Sequence, residues 1–259
     1  MITKEKALVS IILSTLLISG GAWGAWWLYR YVELQQKNDA QYILEWIVAR
    51  SKGRESLPTV YIAEWLGLSH DKPTQLYRLS MRKVKERLLA SPLLVEAQAK
   101  RLPPHTLYIQ YTLRQPVAYW GDFTNTAWDT EGVPIPFRPF FTPKRLPTIY
   151  LGPVVGSVEW GVPYDSPFIA EALALLKEWQ VRLKGHSTYL QRLDLSRLHV
   201  TSRGKQEIVL TFEEGESWTI LRVHPDHPEE AWNDYLKVKG LAEAKYIDAR
   251  IPGSVFLGE

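Results

Sequence analysis

The sequence predicts an α+β protein: an N-terminal single transmembrane helix, a small β-α-α-β-β domain, and then a mixed α/β-sheet domain with an exposed C-terminal edge strand. Three observations carry this expectation. Residues 7–29 (ALVSIILSTLLISGGAWGAWWLY) form an uncharged, largely apolar run. Residues 42–118 alternate between strand-like and helix-like periodicity in the order strand, helix, helix, strand, strand. From Val117 onward, short strands are punctuated by prolines, and two amphipathic helices interrupt them. The expected domains are a tail at 1–6, the membrane helix at 7–29, a linker at 30–41, the first folded domain at 42–118 and the second at 119–259.

A helix of residues 7–29 rises about 1.5 Å per residue, or roughly 34 Å, against a hydrocarbon core of roughly 30 Å. Trp23, Trp26 and Trp27 cluster at its end, where ring edges belong among lipid headgroups, and Arg30 closes it. Lys4 and Lys6 favour a cytoplasmic N-terminus, with everything beyond about residue 30 outside the cytoplasmic (inner) membrane. The competing reading is a signal peptide cleaved near Ala22-Trp23-Gly24.

In the first domain, residues 42–50 (YILEWIVAR) read as a strand and residues 59–68 as a short helix with Val60, Ala63, Trp65 and Leu66 facing a core. Ser80 caps a second helix, whose Met81, Val84 and Leu88 form an apolar stripe, and Pro92 stops it. Period-2 alternation then marks residues 94–100, with Val95, Ala97 and Ala99 on one face, and residues 106–114, with Leu107, Ile109, Tyr111 and Leu113 on one face. In the second domain the prolines at 136, 139, 143 and 147 exclude a central strand or helix there. Ser166 and Pro167 open a helix with Ile169, Ala172, Leu173, Leu176, Trp179 and Leu183 on its core face. Strands near 189–196, 206–213 and 217–223 follow. A helix from Pro228 to Lys239 carries Glu229 and Glu230 at its positive end and stops at Gly240. Residues 244–250 and 254–257 are strand-like.

The chain has 259 residues and no cysteine, which excludes thiolate chemistry, disulfides and Cys-ligated metals. A net charge of +3 is too small for a nucleic-acid footprint. Nucleophile-elbow, phosphate-loop and zinc-helix motifs are absent. We therefore expect no enzyme, cofactor, metal, nucleic acid or small-molecule substrate. His224-Pro225-Asp226-His227 has a metal-like spacing, but it also reads as a polar loop before a helix. Glu213, Glu214 and Glu216 read as a solvated turn.

Several segments resemble the FtsQ/DivIB cell-division family. Residues 92–109 (PLLVEAQAKRLPPHTLYI) are similar to the hairpin of that family's POTRA domain. Arg114-Gln115-Pro116-Val117-Ala118-Tyr119-Trp120 looks like its R-x-P-V-A-x-W, and Trp128-Asp129-Thr130-Glu131-Gly132 resembles its V-D-x-x-G. Leu146-Pro147 before Leu151-Gly152 is similar to its L-P-x-x-x-G, and Tyr246-Ile247-Asp248-Ala249-Arg250 to its Y-V-D-L-R. Ala99, Thr112-Leu113 and Ile251-Pro252 depart from the pattern. The resemblance implies a non-enzymatic division scaffold in the inner membrane at the division site. Its POTRA-like domain would dock upstream partners, and its last strand would bind small coiled-coil division proteins of the FtsB/FtsL kind. A POTRA-bearing translocation or envelope-assembly component is the alternative.

A sheet edge adds a partner strand through its unpaired backbone groups. Residues 244–257 are the candidate edge. Arg250 would pair with an acidic partner residue. Ile251, Val255 and Phe256 would anchor apolar contacts, with Tyr246 beside them, and Pro252 would interrupt the ladder. The competing reading is a strand that closes the domain's own core. Lys100, Arg101 and Arg114 are a candidate POTRA docking surface; they also read as a solvated charged face.

Overall fold

The computed structural model describes residues 4–154, 156–238 and 244–258, with side chains described from Ile12 onward. The chain divides into two compact units, Met1–Leu113 and Arg114–Glu259.

In the first unit, helix α1 (Lys4–Asn38) leads through a 3-10 turn, capped by the Asp39 carboxylate, into β1 (Trp46–Ser51), α2 (Thr59–Leu66), α3 (Met81–Leu89), β2 (Leu94–Leu102) and β3 (Thr106–Leu113). The sheet order is β1-β3-β2, with β1 parallel and β2 antiparallel to β3. One sheet face is apolar because Leu107, Ile109, Tyr111 and Leu113 alternate inward along β3. Ile62 and Leu66 of α2 and Val84 and Leu88 of α3 are likewise buried. Ser80 caps α3 by accepting a hydrogen bond from the Lys83 amide, and Gly67, at φ +66°, ends α2 in a conformation other residues resist.

Among the described residues, no helix is long and apolar enough to cross a membrane. From Ile12, the aliphatic run of α1 is diluted by Ser14, Thr15, Ser19, Gly20, Gly21 and Gly24, and then by the tryptophans. Such residues contribute little to transfer into hydrocarbon. The expected transmembrane helix, its single-pass topology and the inner-membrane placement are corrected accordingly. Trp23, Trp26 and Trp27 lose their assignment as headgroup anchors and are exposed side chains on α1. The expectations for Lys4, Lys6 and residues 7–11 lie outside the described side chains. The expected linker at 30–41 is mostly helix, because α1 runs on to Asn38. Its last turns carry Glu33 paired with Lys37 at 2.7 Å and with Arg30 at 3.7 Å.

The second unit is built on a nine-stranded sheet, in the order β12-β11-β10-β9-β8-β7-β4-β5-β6 among the described residues. The strands are β4 (Pro116–Trp120), β5 (Thr126–Asp129), β6 (Pro134–Pro136), β7 (Thr148–Tyr150), β8 (Thr188–Asp194), β9 (Ile208–Glu214), β10 (Ser217–Val223), β11 (Tyr246–Ile251) and β12 (Ser254–Gly258). Helices α4 (Pro167–Arg182) and α5 (Pro228–Val238) share a core with it. Aromatic packing fills that core: Trp179 meets Phe212 and Trp232, and Trp120 meets Trp128.

Two glycines explain local motifs. Asp129 Oδ1 accepts the amides of Glu131 and Val133 at 2.8 and 2.9 Å, and Gly132, at φ +74°, completes that turn. Gly152 has φ +84°, and a Cβ there would lie 2.9 Å from the Ser196 Cα.

Several expectations are corrected here. Val95 is exposed and Ala97 buried, because a bulge between Leu94 and Glu96 breaks the alternation. Val60 is exposed, and Ile62 takes its core place. Leu175 is buried on α4, whereas Leu173 is only half-buried. A central strand, β7, forms directly after Pro147, where none was expected. Gly240 and Lys239 lie outside the described residues.

Candidate partner-binding edge

The C-terminal hairpin follows from its residues. In β11, Ile247 and Ala249 are buried in the core shared with α5, while Tyr246, Asp248 and Arg250 alternate onto the opposite face. Pro252-Gly253 turns the chain, with Gly253 at φ +74°. Strand β12 then pairs antiparallel with β11, placing Gly258 beside Tyr246, Leu257 beside Ile247 and Phe256 beside Asp248. Directly paired residues share a face, so Phe256 lies on the Asp248 side and Leu257 on the Ile247 side.

An ionic cluster occupies the face of Asp248. The Arg250 guanidinium donates to Asp248 at 2.6, 2.9 and 3.1 Å and lies 3.4 Å from Glu207. Arg222, across the β10–β11 register from Asp248, donates to Glu207 and to the Tyr246 hydroxyl. Arg197 reaches Glu207 at 3.3 Å. Glu207 is nearly buried and is compensated by these guanidinium groups. Burial pushes the Asp248 carboxyl up, but the bonds from Arg250 outweigh it and hold its pKa below the ordinary value. The same bond to Asp248 raises Arg250, against burial.

A clasp on the other face fixes the turn. Asp234 of α5 is buried; it accepts Lys237 Nζ at 2.8 Å and the Gly253 amide at 3.3 Å. Lys237 holds its pKa below the ordinary carboxylate range.

The sequence-predicted partner residues thus meet on one hairpin. Ile251 and Phe256 are 57% and 59% exposed, Leu257 is exposed too, and Val255 is half-buried against the core. Arg250 is engaged with Asp248 instead of standing ready for an incoming acid. No described strand pairs with the outer rim of β12. At the far end of the sheet, β6 reads Pro-Ile-Pro and is buried throughout, so it offers few backbone donors for another strand.

Of Lys100, Arg101 and Arg114, only Lys100, on β2, is an exposed side chain. Arg101 turns inward, donating to the Leu76 carbonyl at 3.1 Å and to the Leu79 carbonyl, with its guanidinium over Tyr77. Arg114 belongs to the second unit and is held by Asp129 at 2.6 Å and Glu131 at 3.2 Å. Among the described residues no group of acids and histidines is arranged to hold a metal. His224 lies beside Asp226 at 3.7 Å in a loop before α5. Glu213 pairs with Arg145, and Glu214 accepts from Ser187.

Sequence reasoning missed Glu207, Arg222 and Asp234. Asp234 carried a legible signal, because it falls on the helix stripe of Ala231, Trp232 and Tyr235, where a charge requires a partner. Glu207 and Arg222 meet only through strand register. The chain matches no known family model and no curated protein.

Proposed function

We propose that this chain is a non-catalytic cell-division scaffold that recruits partner proteins by strand addition at β12. The observation that supports it most is the asymmetry of the nine-stranded sheet. One end is Pro-Ile-Pro and buried; the other is an uncharged strand paired on one side, with Phe256 and Leu257 exposed. An added strand gains backbone hydrogen bonds along the rim and side-chain contacts on both faces. The division assignment is supported by the sequence motifs that resemble the FtsQ/DivIB family, and it makes small coiled-coil division proteins the expected partners. The hairpin is held in place beforehand by Arg250, Asp248 and Asp234, which lowers the ordering cost of binding. In this reading Arg250 shapes the strand next to the edge, and the contacts belong to Ile251, Val255, Phe256 and Leu257. The test is photocrosslinking from positions 250–256 in living cells, with identification of the captured chain. Capture of a division protein is expected. Capture confined to Arg250, with none from Val255 or Phe256, would rule out strand addition.

A further inference from the structure

Strand β12 reads Ser254-Val255-Phe256-Leu257-Gly258: small, branched, aromatic, branched, small. This pattern is symmetric about Phe256. We infer that the same edge pairs with a second copy of itself, antiparallel about a two-fold axis through Phe256, and that self-pairing competes with the partner strand. The inference rests on the free-edge reading above and deepens it.

Antiparallel pairing about Phe256 sets Val255 against Leu257 of the second copy, twice, on the Ile247 face. It sets Ser254 against Gly258, twice, on the Asp248 face, with the two Phe256 rings meeting at the centre. The diagonal neighbours of each ring are then Ser254 and Gly258, whose small size leaves the rings room. A one-residue slip would pair Phe256 with Val255 or Leu257, which belong to opposite faces, and so destroys the match. A two-residue shift sets each Phe256 ring opposite Ser254 or Gly258 and removes the central ring pair; in the first case it also leaves Leu257 opposite Gly253. The two-fold arrangement is closed, with each copy offering the same patch.

Charge allows it as well. Edge strands are normally guarded by charged side chains or proline within the strand. Residues 251–258 carry no charge, and β12 contains no proline. The edge strand β2 of the first unit, by contrast, carries Glu96, Lys100 and Arg101 and a bulge. A strand occupied by its twin cannot pair with another chain, so the partner must displace the second copy. Recruitment then responds to the balance between scaffold and partner concentrations.

The absence of cysteine from the chain makes the test direct. Directly paired residues in antiparallel strands have Cα atoms about 4.5–5.5 Å apart, within the disulfide range of about 4.4–6.8 Å. Full-length Phe256→Cys should oxidise to a covalent dimer at concentrations where Val60→Cys, an equally exposed site on α2, stays monomeric. Phe256→Arg and Phe256→Glu should each abolish the dimer that sedimentation detects for the native chain, since each sets like charges together on the axis. An equimolar mixture of the two should restore it. A monomeric native chain, crosslinking at 256 no faster than at 60, or a mixture that stays monomeric would overturn self-pairing. None of these results bears on capture of a division protein from the same rim, which is read separately in cells.

Discussion

Arg250 and Phe256 differ in structural role, the first bound into the ionic cluster and the second exposed on the rim, and truncating each separates the two. Phe256 is 59% exposed. Full burial of such a side chain stabilises by roughly 1.5–3 kcal/mol, so losing a less-than-half-buried ring costs about 1 kcal/mol or less. Arg250 donates three charge-assisted bonds to Asp248 and approaches Glu207. Removing such a group costs about 1.5–3 kcal/mol when partners stay buried. Arg222 still serves both acids, and Arg250 is itself 30% exposed, so solvent screening brings the expectation to about 1.5 kcal/mol. In a unit of this size each kcal/mol shifts the melting midpoint by roughly 2–4 °C. Arg250→Ala should therefore lower the second unit's midpoint by roughly 3–6 °C, and Phe256→Ala by no more than roughly 4 °C. Partner capture should fall most for Phe256→Ala. The assay is thermal unfolding followed by tryptophan fluorescence, alongside pull-down of the captured division protein. A larger loss of stability for Phe256→Ala than for Arg250→Ala would refute the reasoning, since Phe256 would then be core and β12 no docking rim.

Acid should loosen the hairpin. Asp248 and Asp234 have folded-state pKa values below the ordinary one. Their contribution is therefore whole above about pH 4 and is lost as pH falls through those lower values. The urea midpoint should drop between pH 6 and pH 3, and drop less in Asp234→Asn, which has no charge to lose there. Gly152→Ala should destabilise the second unit by about 1–3 kcal/mol in urea titration, because a side chain must enter positive φ and press on Ser196. Arg101→Ala should destabilise the first unit by about 1–3 kcal/mol, from the unpaired Leu76 and Leu79 carbonyls. Lys100→Ala should stay within about 0.5 kcal/mol, the range of plain surface changes.

Regular periodicity was the legible part of this fold. The alternation of Leu107, Ile109, Tyr111 and Leu113 marks β3, and the helices after Ser80, Ser166 and His227 follow from caps, prolines and apolar stripes. Where the backbone departs from regular pairing, the residues mislead. The bulge at Leu94 turns Val95 outward, and β7 spans only three residues between Pro147 and Leu151, too few for a period to register. The N-terminal run reads as a membrane span from its length, its lack of charge and its terminal tryptophans, but its glycines, hydroxyls and tryptophans leave the described helix short of the apolarity a span needs. At the edge, the Y-x-D-x-R pattern locates the right hairpin. It cannot reveal that Asp248 and Arg250 bind each other, because side chains two apart on a strand share a face with both intramolecular and intermolecular options open. The ion pair of Arg114 is hidden for a similar reason: its partner Asp129 lies across the β4–β5 pair, a register no local window contains.

The free rim of β12 is tested most directly by photocrosslinkers placed one at a time along residues 254–258 in living cells, with Ile135 of β6 as the opposite end of the sheet. Strand addition predicts adducts with a division protein from β12 and none from Ile135. Absence of any adduct from β12, or equal capture at both ends of the sheet, would contradict it.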